Sequence, residues 1–228
     1  MGTLIDICDI YKIYNPGESE VRALDGVTLR VLEGEFLAII GHSGSGKSTL
    51  MNIIGCLDAP TSGDYTLGGE NVGSLSDNRL SAIRNRQIGF IFQNFNLIPS
   101  LSALENVELP LLYRGIHRDE RRRIATEALS RVGLDKRMHH RPYELSGGQQ
   151  QRAAIARAIA TRPPVILADE PTGNLDTKSG GDIIKILHEL NDDGRTVILI
   201  THDTALAAEA KRVVCINDGR LTETGGAA

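Results

Sequence analysis

One short motif narrows the possible folds of this chain more than any other feature. Residues 41–48 read GHSGSGKS, fit the pattern G-x-x-x-x-G-K-[ST], and directly follow the apolar run 36–40. In this pattern the glycines let consecutive backbone N–H groups turn inward around an anion. The lysine, here Lys47, reaches the β and γ phosphates, and the hydroxyl of Ser48 can ligate Mg²⁺. The sequence therefore predicts a strand, a phosphate-binding loop and a helix over 49–57 whose N-terminus faces the phosphates.

The rest of the chain repeats this alternation of strand and helix. Short runs rich in Ile, Val, Leu and Phe are separated by helical segments, which is typical of a mostly parallel sheet covered by helices. The predicted fold class is therefore α/β. The expected strands are residues 4–9, 27–32, 36–40, 63–67, 88–92, 165–168, 196–200 and 213–217.

Two segments depart from this rhythm. The turn signals at 15–17 and 33–34 favour antiparallel hairpins, so we expect an antiparallel β layer near the N-terminus. Residues of about 99–162 show apolar residues at helical spacing and no convincing strand. They predict a helical subdomain inserted between two strands of the sheet. We expect one domain over 1–228, with a core formed by 1–98 and 163–228.

Two carboxylates stand where a strand is predicted to end. The apolar run 165–168 leads into Asp169 and Glu170, and open α/β sheets bind ligands at the carboxyl ends of their strands. Alone, these two residues are equally well explained as caps of the next turn. Together with the phosphate loop they acquire distinct roles. Asp169 would hold Mg²⁺ through its water shell, and Glu170 would polarise the water that attacks the γ-phosphorus.

A third element is a possible helix start that contains two glycines. Residues 145–149 read LSGGQ and precede the Ala-rich segment 152–159. Ser146 is a suitable N-cap, and Gly147 and Gly148 expose backbone N–H groups at the positive end of a helix. Physics alone allows either a second anion site or a simply capped helix.

Composition and charge exclude several classes of protein. The chain has 228 residues, a net charge of -4 and three cysteines. No apolar run approaches the roughly 18–20 residues that span a bilayer, and the N-terminus lacks a secretory signal. We therefore expect no membrane span and a cytoplasmic location, with a frayed tail at 225–228. The acidic balance gives no electrostatic footprint for nucleic acid. Cys8, Cys56 and Cys215 are expected to be reduced packing residues.

The order of the motifs resembles the nucleotide-binding subunit of an ATP-binding cassette (ABC) transporter. The matching elements are the phosphate loop, Gln93 after a strand, LSGGQQQR from residue 145, VILADEP from residue 165, and the segments 173–176 and 201–203. LSGGQ is the signature of that family, and the match runs from Tyr14 to about Gly219. The resemblance implies a P-loop NTPase core that hydrolyses ATP with Mg²⁺. It also implies a head-to-tail homodimer, in which the signature helix of one copy completes the ATP site begun by the phosphate loop of the other.

Individual roles carry over from this resemblance position by position. Tyr14 resembles the aromatic residue that stacks on adenine, with Tyr11 as the competing choice. Gln93 resembles the glutamine that senses Mg²⁺ and the attacking water, His202 the γ-phosphate sensor, and Asp176 the aspartate that crosses the dimer interface. The implied catalytic residues are Glu170, His202, Lys47 and Gln93, and the implied metal ligands are Ser48, Gln93 and Asp169. The implied nucleotide-binding residues are Tyr14, Gly41, His42, Ser43, Gly44, Ser45, Gly46, Lys47, Ser48, Thr49, Ser146, Gly147, Gly148, Gln149 and Asp176.

A finer match concerns the kind of transporter. Residues 52–58, 92–99 and 105–110 are similar to the branch that serves lipoprotein release and macrolide or peptide export. The resemblance therefore implies a separate membrane permease as partner, export as the direction, and a peripheral position on the inner face of the cell membrane. The apolar side chains within 95–98 are expected to form part of the surface that meets the permease.

Two alternatives from other classes stay open. An ABC-type ATPase of DNA repair or chromosome maintenance is disfavoured because no long coiled-coil insertion separates the two halves of the chain. A translation-associated ABC protein is disfavoured because such proteins resemble two cassettes in one chain, and this chain has one.

Overall fold

The computed structural model describes residues 2–15, 17, 19–73 and 75–223. The chain forms two compact units. Unit 1 comprises Met1–Arg84 and Gly194–Ala228, and unit 2 comprises Asn85–Asp193. The predicted helical subdomain of about 99–162 falls within unit 2, and its bounds stay a prediction. The tail 225–228 and Pro16 of the predicted first turn lie outside the described residues.

Strands and helices alternate along the chain, as the α/β prediction requires. The strands are β1 (Thr3–Tyr14), β2 (Val21–Leu32), β3 (Phe36–Ile40), β4 (Ser62–Leu67), β5 (Glu70–Asn71), β6 (Ile88–Ile91), β7 (Val165–Asp169), β8 (Thr196–Thr201), β9 (Arg212–Asn217) and β10 (Arg220–Glu223). The helices are α1 (Lys47–Ile54), α2 (Asp77–Gln87), α3 (Ala103–Tyr113), α4 (Arg118–Arg131), α5 (Gly147–Ala160), α6 (Thr177–Asp192) and α7 (Thr204–Ala207), with 3₁₀ turns at Asp135–Arg137 and Pro142–Glu144. The predicted fold class is confirmed.

Unit 1 contains an antiparallel sheet with the strand order β2-β1-β4-β5. Strand β1 pairs antiparallel with both β2 and β4. Along the second half of β2 the side chains of Val27, Leu29 and Val31 are buried, while the intervening residues are exposed. This period of two is typical of a sheet with one face on the core. The predicted N-terminal β layer is therefore confirmed.

A second, mostly parallel set of strands in unit 1 leads into the phosphate loop. Strands β10, β9, β3 and β8 are neighbours in this order, and β3 pairs parallel with both β8 and β9. Phe36, Leu37, Ala38 and Ile39 are all buried, as expected for a parallel strand that is covered on both faces. The loop that begins at Gly41 follows directly on this rigid, buried strand.

Unit 2 combines the parallel pair β6 and β7 with the longer helices of the chain. Helix α5 packs against α3 and α4, and its buried face is rich in alanine, which lets neighbouring helices approach closely. Helices α3, α5 and α6 begin at Ser102, Ser146 and Asp176. Each of these side chains accepts a hydrogen bond from the backbone amide three residues further on. Such caps satisfy amide groups that have no partner inside the helix.

Several features differ from the sequence predictions. Helix α2 was not expected, because only Leu80 and Ile83 of its residues are buried and the apolar pattern is correspondingly faint. Strand β10 is short and mostly exposed, so it also lacks a pattern. The turn at 33–34 does not close a hairpin, because it connects β2 of the antiparallel sheet to β3 of the parallel strands.

The three cysteines are free thiols, but they are not all packing residues. Cys56 is buried and Cys215 half-buried, whereas Cys8 is exposed. The packing prediction is therefore wrong for Cys8, whose side chain points to the open face of β1. Among the helices that the structure describes, none combines the length and the apolar character needed to cross a lipid bilayer.

Candidate functional site

The loop between β3 and α1 has a shape that only glycine permits at two positions. A Cβ atom on Gly41 would lie 2.4 Å from the carbonyl oxygen of Ile216, and one on Gly46 would lie 2.5 Å from that of Ala23. Gly46 also has a φ of 108°, a conformation that side chains disfavour. A residue outside the loop also holds it, because the backbone amide of Gly219 donates to the Ser45 carbonyl oxygen at 2.9 Å. These residues form the compact loop that the motif predicts.

Lys47 is the first residue of α1 and lies over the loop. Its Nζ donates to the carbonyl oxygens of Gly41 and His42 at 2.7 and 2.8 Å. Helix α1 begins two residues earlier than predicted, so Ser48 and Thr49 belong to its first turn. The amides of that turn have no partner within the helix and carry its positive dipole end, which favours an anion here.

A cleft of about 390 Å³ opens beside this loop. Its size lies in the ordinary range of small-molecule sites. The residues that line it are Val21, Arg22, Ala23, Ser43, Gly44, Gly46, Lys47, Ser48, Thr49, Asp218 and Gly219. Residues 21–23 and 218–219 were not among the predicted site residues. A sequence signal existed for the second pair, since an Asp-Gly dipeptide after an apolar run marks a tight turn.

Tyr14 ends β1 next to this cleft. It lies opposite Val21 in the β1–β2 ladder, and Val21 lines the cleft. The Tyr14 side chain is 39% exposed, so its ring can receive a ligand. The hydroxyl of Tyr11 instead lies against Gly26, where a Cβ atom would approach it to 3.1 Å.

His202 follows the strand next to the phosphate loop. Ile40 of β3 pairs with Thr201 of β8 in parallel register, so Gly41 and His202 leave the sheet at the same edge. His202 is exposed, and the next residue, Asp203, caps the short helix α7. Unit 1 thus brings together the phosphate loop and the predicted γ-phosphate sensor.

Unit 2 brings together the other predicted catalytic residues in a similar way. Strands β6 and β7 are parallel, with Ile91 opposite Ala168. Gln93 follows the end of β6. Asp169 is the last residue of β7, and Glu170 comes next. All three residues therefore lie at the carboxyl-terminal edge of this strand pair. Glu170 has a φ of 44°. A left-handed glutamate is uncommon, and such strained residues concentrate at functional sites.

Amide side chains bind the segments that follow β6 and β7 to each other. Asn174 Nδ2 donates to the Gln93 carbonyl oxygen and to Asn94 Oδ1, both at 3.0 Å. Gln151 Nε2 donates to the Pro171 carbonyl oxygen at 2.7 Å, and Gln151 is fully buried. Asn174 was not among the predicted site residues, although it lies inside the matched segment 173–176.

The signature segment forms the start of α5, as predicted. Ser146 Oγ accepts from the Gln149 amide, and the Gln149 side chain accepts from the Ser146 amide at 3.0 Å. This reciprocal cap leaves the amides of Gly147 and Gly148 at the helix start. A Cβ atom on Gly148 would lie 2.9 Å from Ser179 Oγ, so this position also requires glycine.

Ser179 links Asp176 to the signature segment, because it bonds to Asp176 and lies beside Gly148. The Asp176 carboxylate accepts from the Ser179 amide at 3.0 Å and from the Ser179 hydroxyl at 2.7 Å. These two bonds lower the pKa of Asp176 from its ordinary value, and the bond from the Ser179 amide has the larger effect. The carboxylate is therefore an ionised N-cap of α6.

The predicted Mg²⁺ ligands fit the needs of this ion. Within the described residues no group of three or more His, Cys, Asp or Glu side chains could hold a metal. A dedicated metal cage is not what Mg²⁺ requires beside a nucleotide. It usually takes one or two protein oxygens together with phosphate oxygens and waters. A hydroxyl from Ser48, a carboxylate from Asp169 and an amide oxygen from Gln93 are of this kind.

Comparisons with known proteins agree with these features. The family model for the ABC transporter matches residues 24–173. An uncharacterized ABC transporter ATP-binding protein of Thermotoga maritima is 53% identical over 97% of this chain and 94% of that protein. The macrolide export ATP-binding/permease proteins MacB of Hyphomonas neptunium and Escherichia coli are 54% and 50% identical over 98% and 99% of this chain. This chain spans 35% of the length of each of these two MacB proteins.

Two solved structures of one similar protein are dimers. The ATP-binding cassette MJ0796, in a dimeric post-hydrolysis state bound to ADP and Pi, is 47% identical with a TM-score of 0.89, covering 98% of this chain and 100% of that chain. A second dimeric structure of MJ0796, described as a bacterial ABC transporter cassette, gives the same values. The family model matches most of the chain, and the relatives share about half of its residues. The chain therefore belongs to the ABC transporter family and is the ATP-hydrolysing, nucleotide-binding part of such a transporter.

Proposed function

We propose that this chain binds MgATP, dimerises head to tail with a second copy, and drives export by a separate membrane permease. The observation that carries the proposal is that one chain presents two glycine-rich helix starts, α1 and α5. The loop before α1 surrounds its own anion site, whereas the capped start of α5 offers amides that a second copy can use. The similar cassette MJ0796 has been solved as a dimer bound to ADP and Pi.

The phosphates of ATP are bound by the loop of residues 41–49. Its backbone amides and Lys47 Nζ surround the β and γ phosphates, so Lys47 exchanges its bonds to the loop carbonyls for bonds to the nucleotide. The adenine stacks on Tyr14 rather than Tyr11. Tyr14 adjoins the cleft through Val21, whereas the Tyr11 hydroxyl lies against Gly26.

Hydrolysis is an in-line attack of water on the γ-phosphorus. Glu170 accepts the proton of the attacking water, the bond from the γ-phosphorus to the bridging oxygen breaks, and ADP leaves. His202 contacts the γ-phosphate, and Gln93 orients the water. Ser48, Gln93 and Asp169 would hold Mg²⁺, Asp169 through the water shell of the ion, and the ion would supply positive charge that neutralises the phosphates.

The second copy completes each site. Ser146, Gly147, Gly148 and Gln149 of one chain meet the γ-phosphate held by the other, and Asp176 crosses the interface. Within unit 2, Ser179 lies beside both groups. It donates to the ionised Asp176 carboxylate, and it adjoins Gly148 at the start of α5. Closure of the dimer therefore depends on bound ATP.

The relatives support a permease as the partner. Those named MacB are ATP-binding/permease proteins for macrolide export, and this chain matches one part of them. We place the chain on the inner face of the cell membrane, bound through its permease. The loop after Gln93 presents an apolar surface for this contact, with Ile98 42% exposed. Asn106 holds that loop by accepting from the Ile98 amide at 2.7 Å.

The substitution Glu170→Gln tests the proposed chemistry. It keeps the shape of the side chain but removes the base, so MgATP should still bind, turnover should stop, and the dimer should accumulate in size-exclusion chromatography. Glu127→Gln is the matched control, because Glu127 is an exposed partner of Arg123 on α4 and should leave turnover unchanged. Hydrolysis at the wild-type rate by the Glu170 variant would refute the assignment of the base.

A further inference from the structure

We infer that Lys12 and Asp58 are positioning residues for the Tyr14 ring, and that they tie this base platform to the helix that carries the phosphate loop. The inference rests on the proposed stacking of adenine on Tyr14. It gives Lys12 and Asp58 a role that the sequence did not suggest, although Asp58 ends the matched segment 52–58.

Asp58 connects the two side chains that flank it. Its Oδ2 accepts from the Tyr14 hydroxyl at 3.1 Å, and its Oδ1 accepts from Lys12 Nζ at 2.7 Å. Lys12 Nζ also donates to the Ala59 carbonyl oxygen at 2.8 Å. The side chains of Lys12 and Asp58 are only 14% and 34% exposed, so water screens this ion pair less than a surface pair. The carboxylate thus has both oxygens occupied and a fixed orientation.

Lys12 also makes the two faces of the Tyr14 ring different. Its Nζ lies 5.1 Å from the ring centroid, within the range of a cation–π contact. One face is therefore covered by an ammonium group that is itself held by Asp58 and Ala59. The face opposite Lys12 is left for the base, and the bond from the hydroxyl to Asp58 fixes the rotation of the ring.

The main chain around Tyr14 is attached to the same segment. The Ile13 amide donates to Thr61 Oγ1 at 3.0 Å, and the Thr61 amide donates to the Tyr11 carbonyl oxygen at 2.8 Å. The end of β1 is thus bound on both sides of Lys12 by residues 58–61.

The segment 58–61 is in turn an extension of α1. The amides of Leu57 and Asp58 both donate to the Asn52 carbonyl oxygen, at 2.8 and 3.2 Å, which closes the end of the helix. Helix α1 starts at Lys47 and its eight residues span about 12 Å. One short rigid helix therefore has the phosphate-binding loop at its first end and the anchor of the base platform just past its second. Such pre-organisation lowers the entropy that binding must offset.

Base-dependent binding tests this inference. We would measure the dissociation constants of Mg-ADP and of Mg-tripolyphosphate, which has no base, by isothermal titration calorimetry. For Lys12→Met and for Asp58→Ala, the constant for Mg-ADP should rise about threefold to tenfold, the range of an aromatic contact. The constant for Mg-tripolyphosphate should stay within about twofold of the wild type, because the phosphate loop is unchanged. A general disturbance of folding would instead weaken both ligands, and that result would overturn the inference.

Two further variants complete the experiment. Asp6→Asn breaks the Asp6–Arg30 pair in the same sheet, far along β1 from Tyr14, and should bind Mg-ADP as the wild type does. Lys12→Arg keeps the cation and should restore most of the affinity. If Asp58→Ala does not fold, Asp58→Asn serves in its place, since it removes the charge that holds Lys12.

Tyr14→Ala separates this inference from the function on which it rests. If Tyr14→Ala binds Mg-ADP as the wild type does, adenine does not stack on Tyr14 and the proposed function loses that contact. If Tyr14→Ala weakens Mg-ADP binding while Lys12→Met and Asp58→Ala do not, the stacking stands and the positioning role is wrong.

Discussion

The side chain of Asn174 holds the main chain of Gln93, because Asn174 Nδ2 donates to the Gln93 carbonyl oxygen at 3.0 Å. The side-chain Nε2 of Gln93 in turn donates to Asn174 Oδ1 at 3.4 Å. Asn174 lies two residues before Asp176. A residue proposed to sense Mg²⁺ and water is thus tied to the segment proposed to meet the second copy.

Asn174→Ala should slow hydrolysis more than it weakens nucleotide binding. Each lost hydrogen bond costs about 1 kcal/mol, and a freer Gln93 is less often in position at the transition state. We expect kcat to fall about tenfold, with KM for MgATP changed less than about twofold. Steady-state phosphate release measures both. Asn94→Ala, which removes only the Oδ1 contact, should have a smaller effect, and a larger loss in that control would contradict the role given to Asn174.

Gly46→Ala should disrupt the phosphate loop, whereas Gly44→Ala should not disrupt it to the same degree. Both glycines have positive φ values, 108° and 79°. Only at Gly46 would a Cβ atom meet a backbone oxygen, at 2.5 Å, while nothing lies within 4 Å at Gly44. Backbone strain of this kind costs about 1–3 kcal/mol, and the clash adds to it. We expect Mg-tripolyphosphate binding to be lost in Gly46→Ala and weakened in Gly44→Ala. If both variants lost the same affinity for Mg-tripolyphosphate, the positive φ alone, and not the clash at Gly46, would explain the loss.

Glu170→Gly should be more stable than Glu170→Ala. Both variants lack the carboxylate, so the difference between them isolates the backbone conformation at φ 44°. An L-residue pays roughly 1–2 kcal/mol for a left-handed conformation, which outweighs the smaller entropy advantage of alanine. Urea denaturation should give Glu170→Gly a higher free energy of unfolding by about 1 kcal/mol. The opposite order would mean that the glutamate conformation carries no strain.

Cys8 should react with thiol reagents long before Cys56. Burial raises the pKa of the Cys56 thiol to about 11, although its hydrogen bond with Tyr65 and the charge of Arg84 act in the other direction. At pH 8 only about one thiol in a thousand would be ionised at this pKa, and the side chain is also 3% exposed. A Cys8→Ser, Cys215→Ser double variant should therefore react with Ellman's reagent only after unfolding. Fast reaction of the native double variant would disprove the protection of Cys56.

The elements with strong apolar patterns were predictable, and those without them were not. The run 36–40 is buried along nearly its whole length, so its composition alone indicates a buried parallel strand. Helix α2 buries two side chains and β10 is mostly exposed. Their formation depends on neighbours in the folded chain, such as β9 for β10. The same reason explains the error at 33–34, since a Gly turn indicates a reversal but not the sheet that the next strand joins.

The motifs identified which residue types carry the chemistry, because a phosphate loop and a signature helix start are local structures whose glycines and caps act within a few residues. Only the tertiary structure decided the position of the Tyr11 hydroxyl against Gly26, the contacts of Asn174 with Gln93 and the hydrogen bond of Tyr14 to Asp58. Asp58 and Tyr14 are 44 positions apart in sequence, and Asn174 and Gln93 are 81 apart. No local pattern records such pairs, because the hydrogen bonds form only once strands and helices have brought distant segments together.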